Sequence, residues 1–406
     1  MEKVNLAIVG LGCRGYSMID TFLATGKTKI VSICDKYQDR VDKAFDKIVS
    51  KQRLKPKKYV DFNKMLRNKN IQAIYIATPW DLHVKMAIKA LKKNIIVAME
   101  VGGAFSIKEC NDLIKAYEQT KTPFMFMENC CYDKFEQLAY NLAKDNKFGE
   151  IVLAHGAYGH DLRSEVTNGK VNRHYRLDFY RDYNCDNYPT HDLGPIAKIL
   201  NINCGNRLNS IVSVSSKAVG INKYKTSEGC KDKDLKDVYF NQGDIINSII
   251  KCENGEIITL TLDTNLPRYY SREFTIRGEK GLANQEDNMV LFESVDNLEE
   301  FFNTTQTITK HINNADNYKD YLPDCWKNIT PEEIDLGHGG MDFILVNKFL
   351  DCIINNQEMP LDVYDATSWM IVTYLSKKSI ENGSKPMKFP DFTNGKWKTN
   401  KPKDLL

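Results

Sequence analysis

Short apolar runs alternate with amphipathic stretches along the first third of the chain. The runs predict β-strands at 4–9, 30–34, 71–77, 94–99 and 123–127. Between them, residues 80–92 and 106–120 have helical periodicity, and Ser106 followed by Glu109 predicts a capping box at the second of these helices. Strands that alternate with helices predict an α/β fold with a doubly wound parallel sheet.

The pattern changes after about residue 130, where a helix near 133–145 leads into consecutive strands. These strands are predicted near 150–158, 208–219, 244–251, 256–264 and 272–277. Asn254-Gly255 between two of them is typical of a hairpin turn. Residues 221–243 and 284–335 are polar and weakly periodic, so we expect surface insertions there. Consecutive strands of this kind predict a second, α+β domain with a mixed sheet.

Composition excludes some classes of function. The 406 residues exceed the usual single core of about 250–300 residues. The 56 basic and 53 acidic residues nearly balance, and no basic stripe indicates a nucleic-acid partner. The local basic cluster reads as the solvated face of a helix and loop, and it comprises Lys51, Arg53, Lys55, Lys57 and Lys58.

The apolar runs and the cysteines bear on location. No run approaches the roughly 20 apolar residues of a membrane span, and the first run is already a predicted strand, so we expect neither a membrane partner nor a signal peptide. The 11 cysteines are odd in number and form no C-x-x-C pair. This usage favours reduced thiols in a cytoplasmic protein, without a metal site.

A dinucleotide-binding fingerprint follows the first strand. Gly10, Gly12 and Gly15 have G-x-G-x-x-G spacing, which suits a tight turn, close approach of a pyrophosphate and close helix packing. The pyrophosphate would lie at a helix N-terminus. Asp35 ends the second strand, where a carboxylate binds a ribose 2′-hydroxyl and repels a 2′-phosphate. The pattern therefore predicts NAD as cofactor in preference to NADP.

Further cofactor residues are predicted at the turn and at the carboxyl ends of the following strands. Doubly wound sheets bind ligands at that edge. The turn supplies backbone N–H groups of Cys13 and Arg14. The strand ends supply Trp80, His83, Glu100, Val101 and Asn129. For each strand-end residue the alternative is a position without any cofactor contact.

The fingerprint, the segment Thr78–His83 and the segment Met99–Val101 resemble the glucose-fructose oxidoreductase family, also called Gfo/Idh/MocA. The resemblance implies an NAD-binding Rossmann domain at 1–130 and a substrate domain at 131–406 whose large open sheet holds a sugar. It further implies that the C-terminal segment packs back on the first domain, and that copies associate through the second sheet. Many sugar dehydrogenases of that family have a lysine that activates the substrate hydroxyl where this chain has Val101. Because valine cannot ionise, the departure disfavours a lysine-assisted dehydrogenase.

Longer motifs resemble glycoside hydrolase family 109 in the same order. They are Met127–Tyr132, His155–Arg163, Asn187–Pro195, Pro267–Arg272, Gly337–Asp342 and Met359–Asp365. The family consists of NAD-dependent glycosidases, with α-N-acetylgalactosaminidase as the characterised activity. Its chemistry oxidises the sugar at C3, eliminates the aglycone after loss of the C2 proton, adds water and returns the hydride. This is the NAD-dependent exception among glycosidases.

The resemblance places catalysis on the intact Tyr-Pro-Thr-His segment. His191 is the predicted general base, and Tyr188 beside it can donate a hydrogen bond to a sugar oxygen. The predicted substrate-binding residues are Tyr158, Arg176, Tyr188, Pro189, Thr190, His191 and Tyr270.

Two histidines keep alternative interpretations. His338 lies among glycines, which suits a lid bearing a catalytic group or, equally, a loop that caps the helix beginning near Met341. His160, with Asp161 and Arg163, belongs either to the substrate site or to a structural polar cluster.

Three classes of function follow for a small-molecule glycoside or sugar substrate. The first is an NAD-dependent glycosidase, the second an NAD-dependent sugar or inositol dehydrogenase, and the third a non-catalytic sugar-binding relative that retains NAD. Val101 disfavours the second class, and the intact Tyr188 and His191 disfavour the third.

Overall fold

The structure is a computed structural model that describes residues 3–296 and 309–406. Part of the predicted insertion at 284–335, residues 297–308, lies outside the described residues. The chain divides into two compact units. Unit 1 comprises Met1–Asp133, Asn328–Thr367 and Lys403–Leu406, and unit 2 comprises Lys134–Lys327 and Ser368–Pro402. Two late segments thus group with the N-terminal part of the chain, whereas the sequence suggested one boundary near residue 130.

Fourteen strands are numbered here in chain order among the described residues. They are β1 (Val4–Val9), β2 (Thr28–Cys34), β3 (Lys57–Tyr59), β4 (Ala73–Ile76), β5 (Ile96–Met99), β6 (Phe124–Phe126), β7 (Ile151–Gly159), β8 (Leu208–Ser215), β9 (Ile245–Cys252), β10 (Ile257–Asp263), β11 (Thr275–Gly278), β12 (Gly281–Asn284), β13 (Met289–Phe292) and β14 (Met387–Lys388).

The α-helices are numbered in the same way. They are α1 (Cys13–Ala24), α2 (Gln38–Lys51), α3 (Phe62–Met65), α4 (Trp80–Leu91), α5 (Ile107–Thr120), α6 (Lys134–Lys144), α7 (Arg163–Thr167), α8 (Gly169–Asn172), α9 (Arg176–Asp182), α10 (Thr190–Ile199), α11 (Gly220–Tyr224), α12 (Asp324–Lys327), α13 (Pro331–Ile334), α14 (Met341–Ile354) and α15 (Val363–Glu381).

Unit 1 contains a six-stranded parallel sheet in the order β3-β2-β1-β4-β5-β6. The strand order reverses beside β1, which is the switch point of a doubly wound sheet. The predicted Rossmann-type architecture is therefore confirmed. The capping box at Ser106 and Glu109 is also present, with the Ser106 side chain accepting from the Glu109 backbone N–H.

The sequence did not predict β3. Its residues, Lys57, Lys58 and Tyr59, form an edge strand paired with β2, and the two lysines are exposed. The interpretation of this basic stretch as helix and loop was wrong for Lys57 and Lys58. An edge strand of three polar residues has no apolar alternation, so its pairing depends on the neighbouring strand rather than on its own sequence.

Unit 2 contains an eight-stranded mixed sheet in the order β13-β12-β11-β7-β10-β9-β8-β14. Strands β7 and β10 pair in parallel, and β9 and β10 form the antiparallel hairpin predicted at Asn254-Gly255. Gly255 has a φ of 109°, a left-handed value that glycine adopts readily in such turns. The predicted large mixed sheet is confirmed.

The polar stretches contain more structure than predicted. Strand β13 lies in the stretch 284–335 and pairs with β12 at the sheet edge, and most of α11 lies in the stretch 221–243. Tertiary pairing, rather than local apolar periodicity, orders these segments.

Close packing of α10 against β7 positions the predicted catalytic segment. A Cβ added to Gly156 on β7 would lie 2.8 Å from Cβ of Asp192 on α10, which leaves room only for glycine. Side chains alternate along a strand, so Tyr158 points to the same side of the sheet as Gly156. The first turn of α10 is thereby held beside Tyr158.

Within the described residues, no helix has the length and apolar character needed to cross a bilayer. In the same residues, each of the eleven cysteines is a thiol rather than half of a disulfide.

Candidate active site

The glycine turn of unit 1 has the geometry of a pyrophosphate cradle. Gly10 has a φ of 86°, and a Cβ there would lie 2.3 Å from the carbonyl oxygen of Ala77. A Cβ on Gly15 would lie 1.8 Å from the carbonyl oxygen of Gly10, so α1 begins in direct contact with the turn. By contrast, a Cβ on Gly12 would meet only the guanidinium of Arg40, at 3.4 Å.

Gly12 is the N-cap of α1, and no side chain in the described part of the chain caps this helix end. Unsatisfied N–H groups and the positive end of the helix dipole attract anions. The open side of Gly12 and the uncapped first turn of α1 therefore fit a dinucleotide pyrophosphate.

Asp35 lies at the end of β2 and turns towards the glycine turn. Its Oδ2 accepts from the Leu11 backbone N–H at 2.7 Å, and its Oδ1 accepts from the Tyr37 N–H at 2.9 Å. The guanidinium of Arg40 lies 3.9 Å from the carboxylate. A carboxylate has about four acceptor positions, so these contacts leave capacity for ribose hydroxyls. The position fits the predicted NAD preference.

Two of the predicted cofactor residues meet at a carboxylate that the sequence analysis did not single out, Asp342 on α14. The Arg14 guanidinium donates to both oxygens of Asp342, at 2.6 and 2.9 Å, and Asn129 Nδ2 donates to Oδ1 at 2.9 Å. Arg14 Nε also donates to Glu100 at 2.9 Å, and the Tyr75 hydroxyl donates to the same Glu100 oxygen. Arg14 thus contributes a side chain to this edge as well as its backbone.

His338 belongs to this same cluster in unit 1. Its Nδ1 lies 2.7 Å from Asp342 Oδ2, and its side chain is 55% exposed. The N-cap of α14 is Gly340, and His338 contacts a side chain rather than the backbone of the helix end. This geometry does not support the interpretation of His338 as a simple helix cap.

Trp80 and His83 begin α4 and are both buried. The Trp80 indole covers Gly102, where an added Cβ would lie 2.4 Å from the ring, and Val101 is buried beside it. His83 Nε2 donates to the Thr78 carbonyl at 2.6 Å. Burial lowers the pKa of His83 to about 4, so the ring is neutral near pH 7. Contact of these residues with a cofactor stays a prediction.

Unit 2 brings the predicted substrate residues into one aromatic cluster. The ring centroids of Tyr158 and Tyr188 are 4.6 Å apart, and His191 lies 4.8 Å from Tyr188 and 5.6 Å from Tyr158. Tyr270 lies 6.3 Å from Tyr158, and its side chain is about half exposed. Residues from three segments that are distant in sequence are therefore neighbours in the fold.

The start of α10 presents this cluster. Pro189 is the N-cap, and Thr190 and His191 are the first two helical residues. The fixed φ of proline suits a helix start. Thr190 is completely buried, so its side chain contributes to packing, whereas His191 is partly accessible.

Arg176, the first residue of α9, lies against the same cluster. Its guanidinium carbon is 5.0 Å from the centre of the Tyr188 ring, and its Nη1 is 3.0 Å from Glu165 Oε1. Burial lowers the pKa of Arg176, but Tyr158 and Glu165 raise it well above its usual value, so the guanidinium stays charged. Its charge is balanced by a carboxylate within the cluster.

His160 joins the cluster rather than a separate polar group. Its Nδ1 is 3.2 Å from the Tyr158 hydroxyl, and its ring is perpendicular to that of Tyr270 at 5.5 Å. Burial and the charge of Arg176 lower the pKa of His160, which favours the neutral ring. Asp161 and Arg163 instead pair with each other at 2.7 Å.

Two residues of these clusters were missed from the sequence, Asp342 and Glu165. Asp342 follows His338 by four residues, a spacing that brings side chains together at a helix start, so this motif contained a usable signal. Glu165 lies eleven residues before Arg176, and only the fold brings the two together.

The glycine turn and the strand order define a class of protein: an NAD-binding Rossmann unit combined with a second unit built on a large mixed sheet. Residues 4–127 match the family model described as oxidoreductase family, NAD-binding Rossmann fold. Solved structures of this class have the same fold. Levoglucosan dehydrogenase in complex with NADH and levoglucosan has a TM-score of 0.71 at 16% identity, covering 96% of this chain and 100% of that one.

The scyllo-inositol dehydrogenase of Lactobacillus casei, with bound NAD(H) and scyllo-inositol, has a TM-score of 0.66 at 14% identity, covering 95% of this chain and 99% of that one. At such identities the likeness establishes the fold alone.

Residues 132–399 match the model described as glycosyl hydrolase 109, C-terminal domain. The chain is 33% identical to an alpha-N-acetylgalactosaminidase of Tannerella forsythia over 423 residues, covering 98% of this chain and 88% of the relative. It is 34% identical to an alpha-N-acetylgalactosaminidase of Shewanella oneidensis over 413 residues, covering 100% of this chain and 88% of that relative. The chain belongs to glycosyl hydrolase family 109, and it is an enzyme with NAD as cofactor.

Proposed function

We propose that this protein is an NAD-dependent glycosidase that cleaves α-N-acetylgalactosaminides or closely related uncharged glycosides. The observation that carries the proposal is the cluster of Tyr158, Tyr188 and His191, in which a titratable ring lies 4.8 Å from a tyrosine at the accessible start of a helix. Relatives named alpha-N-acetylgalactosaminidase that cover nearly the whole chain support the substrate class.

The residues of unit 2 divide the work by their chemistry. His191 accepts a proton from a sugar hydroxyl, because a neutral imidazole is a base near pH 7. Tyr188 donates a hydrogen bond to a sugar oxygen, and the rings of Tyr158 and Tyr270 pack on apolar faces of the sugar. Pro189 and Thr190 hold the helix start that presents His191.

Bound NAD supplies a hydride acceptor that is restored within each hydrolytic cycle. In unit 1, Gly10, Gly12 and Gly15 would cradle its pyrophosphate with the N–H groups of Cys13 and Arg14, and Asp35 would bind the adenosine ribose. The remaining predicted cofactor contacts are Trp80, His83, Glu100, Val101 and Asn129.

Charge balance in unit 2 supports an uncharged sugar. Arg176 is paired with Glu165 at 3.0 Å, so the cluster carries no unpaired guanidinium that would select a carboxylate or phosphate. The guanidinium then acts as a hydrogen-bond donor to the sugar and as a support for the Tyr188 ring, over which it lies.

Val101 supports hydrolysis over net dehydrogenation. Its side chain is buried and apolar, and it occupies the position where the related sugar dehydrogenases have their activating lysine. If this chain were a dehydrogenase, its unit 1 would therefore lack the lysine that assists deprotonation of the substrate hydroxyl.

We also infer that a second copy of the chain docks on the open face of the unit 2 sheet. Val214, Ile249 and Ile257 point to the same face, because β8, β9, β10 and β7 pair in register, and each is about half exposed. Apolar side chains on a free sheet face favour association.

The test measures the aglycone and NADH together while the purified protein acts on aryl α-N-acetylgalactosaminides, other aryl N-acetylhexosaminides and plain hexosides. We expect aglycone release without NADH accumulation. His191→Ala should reduce kcat by about 100-fold or more, as for loss of a general base. Its NAD dissociation constant should stay within about threefold of wild type, since His191 belongs to unit 2.

His155→Ala is the matched control. His155 lies on β7, but its side chain points to the face opposite Tyr158 and contacts Thr259. This variant should retain activity. If NADH instead accumulates in proportion to a free sugar that is added, the protein is a dehydrogenase. If neither aglycone nor NADH is formed although NAD is bound, it is a non-catalytic relative.

A further inference from the structure

Glu165 provides a negative charge beside the Arg176 guanidinium in unit 2. Its Oε1 lies 3.0 Å from Arg176 Nη1 and 3.7 Å from His174 Nε2. The Arg176 side chain is 10% exposed, whereas that of Glu165 is 41% exposed. A guanidinium removed from water in this way is destabilised unless a carboxylate lies close to it. Glu165 therefore balances a charge that the fold has buried at the aromatic cluster.

The local backbone fixes this ion pair. A Cβ added to Gly169 would lie 2.6 Å from Cβ of Leu177, so α8 and α9 are in direct contact. The Arg176 backbone N–H donates to His174 Nδ1 at 3.3 Å. Because an accepting ring nitrogen has no hydrogen, the neutral His174 ring has its hydrogen on Nε2, on the side of Glu165. The carboxylate therefore has one partner on α9 and a second immediately before it.

The ion pair borders the residues proposed to bind the sugar. The Arg176 guanidinium carbon lies 5.0 Å from the centre of the Tyr188 ring, and that ring lies 4.8 Å from His191. A sugar hydroxyl or acetamido oxygen can accept a hydrogen bond from a guanidinium while Glu165 stays in place. A carboxylate that reached the guanidinium would instead lie next to Glu165, and like charges repel strongly where water is scarce. The pair therefore discriminates between sugars by their charge.

We propose that Glu165 is a specificity-determining residue, whose carboxylate keeps the Arg176 guanidinium for uncharged sugars and excludes anionic ones such as hexuronides. The inference rests on the proposed function for the place of the sugar, and it adds the residue that sets the permitted charge of the substrate. Without the Glu165 charge, the same guanidinium would favour an anionic sugar, because it forms charge-assisted hydrogen bonds with carboxylates and similar anions.

The first test measures binding alone. His191→Ala, loaded with NAD, serves as the parent protein, so that no turnover occurs under the proposed function. Calorimetry compares methyl α-N-acetylgalactosaminide with the corresponding galacturonide, which has a carboxylate at C6. The parent should bind the uncharged sugar more tightly by about tenfold or more, and adding Glu165→Gln to the parent should reverse this preference.

Inorganic sulfate probes the guanidinium independently of where a carboxylate lies on the sugar. Sulfate should compete with the uncharged sugar when Glu165→Gln is added to the parent, and it should leave binding to the parent unchanged. Adding both Glu165→Gln and Arg176→Gln removes both charges, so this protein keeps the charge balance and should not respond to sulfate. If sulfate does not compete in Glu165→Gln, the inference is wrong, whatever the result with the galacturonide.

His160 reports the same charge without any sugar. Burial and the charge of Arg176 lower the pKa of His160, and the charge of Glu165 raises it. Glu165→Gln should therefore shift this pKa further down in an NMR titration of the histidine signals, with His160 assigned by the loss of its signal in His160→Gln. An unchanged pKa would show that the Glu165 charge does not reach the aromatic cluster, which would overturn the inference.

Asp178→Asn is the matched control. Asp178 is on α9 with Arg176, and it pairs with Arg181 at 3.0 Å. The substitution removes one negative charge, as Glu165→Gln does, and it should change neither the sugar preference nor the pKa of His160. If Asp178→Asn also makes the protein respond to sulfate, the effect is one of net charge and the inference fails.

The outcomes separate this inference from the proposed function. If wild type releases no aglycone but Glu165→Gln gains the response to sulfate, the glycosidase proposal fails and the role of Glu165 stands. If wild type cleaves uncharged glycosides and Glu165→Gln does not respond to sulfate, only the inference fails. If the parent binds neither sugar, both proposals fail.

Discussion

His83 shows how burial determines the chemistry of a single side chain. It is 3% exposed, and its Nε2–H is held by the Thr78 carbonyl at the start of α4. An imidazolium in that place would lose its hydration without a counter-charge close enough to replace it. The ring is therefore neutral, and it links α4 to the loop after β4.

We expect His83 to make stability fall as the pH falls. Its folded-state pKa of about 4 lies below the unfolded value of 6.5, so only the unfolded chain takes up the proton between these values. The free energy of unfolding should fall by about 3 kcal/mol between pH 6.5 and 4 from this residue. His83→Gln keeps a donor for Thr78 but removes the titration, and urea unfolding at several pH values without NAD measures the difference.

The variant should be less stable than wild type at pH 7.5, and the gap should narrow towards pH 5. His155→Gln, which alters a partly exposed ring in unit 2, is the control. Parallel pH dependence of wild type and His83→Gln would contradict the assignment.

At the scale of elements, three glycines lie where β1 turns into α1, and each position has glycine for a different physical reason. Gly10 has a left-handed φ, and Gly15 allows the helix to touch the Gly10 carbonyl. Gly12 has ordinary backbone angles, with a φ of −70°, and a Cβ there would meet only the end of the Arg40 side chain, at 3.4 Å. Folding requires the first two, whereas the third is explained by a ligand.

Substitution by alanine should therefore have different effects at Gly15 and at Gly12. Gly15→Ala should lower the free energy of unfolding by about 2 kcal/mol, because its Cβ overlaps backbone that cannot move freely. Gly12→Ala should lower it by no more than about 1 kcal/mol, the cost of alanine in place of glycine at an N-cap. Its methyl group should weaken NAD binding by about tenfold or more, because it fills the cradle.

Urea unfolding without NAD and titration calorimetry with NAD separate the two effects. Wild-type NAD affinity in Gly12→Ala would show that Gly12 is not the pyrophosphate glycine.

The element α10 shows how packing assembles the candidate site. Gly156 lets the helix lie directly on β7, so the Tyr188–His191 segment is next to Tyr158. The spacing between these residues in sequence contains no sign of that contact. It depends on one close helix–strand approach and on the alternation of side chains along β7.

At the scale of the whole molecule, each unit has its own sheet and its own set of candidate functional residues. The candidate cofactor residues and His338 belong to unit 1, and the aromatic cluster belongs to unit 2. Helices cover one face of the unit 2 sheet through contacts such as that between α10 and β7. The opposite face presents Val214, Ile249 and Ile257.

We expect the wild-type protein to form homo-oligomers through that face, and Ile249→Glu to shift it to monomers. The substitution would bury an unpaired charge in the middle of an apolar contact. The free-energy cost of burying that charge is more than a standard interface, of about 800 Å² per partner, can offset. Size-exclusion chromatography with light scattering measures the mass over a range of concentrations.

Val152→Glu is the control, because Val152 is equally exposed but points to the other face of β7. A monomeric wild type at high concentration, or an unchanged mass for Ile249→Glu, would contradict the proposed interface.

The doubly wound parallel sheet and the NAD turn could be predicted because their signals are local. Apolar runs mark β1 and β2, and Gly10, Gly12, Gly15 and Asp35 are close in sequence. The edge strand β3 could not be predicted, because three polar residues pair only when β2 is beside them.

The sequence by itself determined the two-part architecture and the cofactor, because periodicity and compact motifs express local physical requirements. It also named Tyr188 and His191 as candidates, whose role stays a prediction. Only the tertiary structure decided their partners. Glu165 on α7 forms an ion pair with Arg176 on α9. Asp342 contacts Arg14, Asn129 and His338, which come from segments up to 328 positions away in sequence. Charge pairing and close packing act through space, so these contacts exist only once the chain has folded.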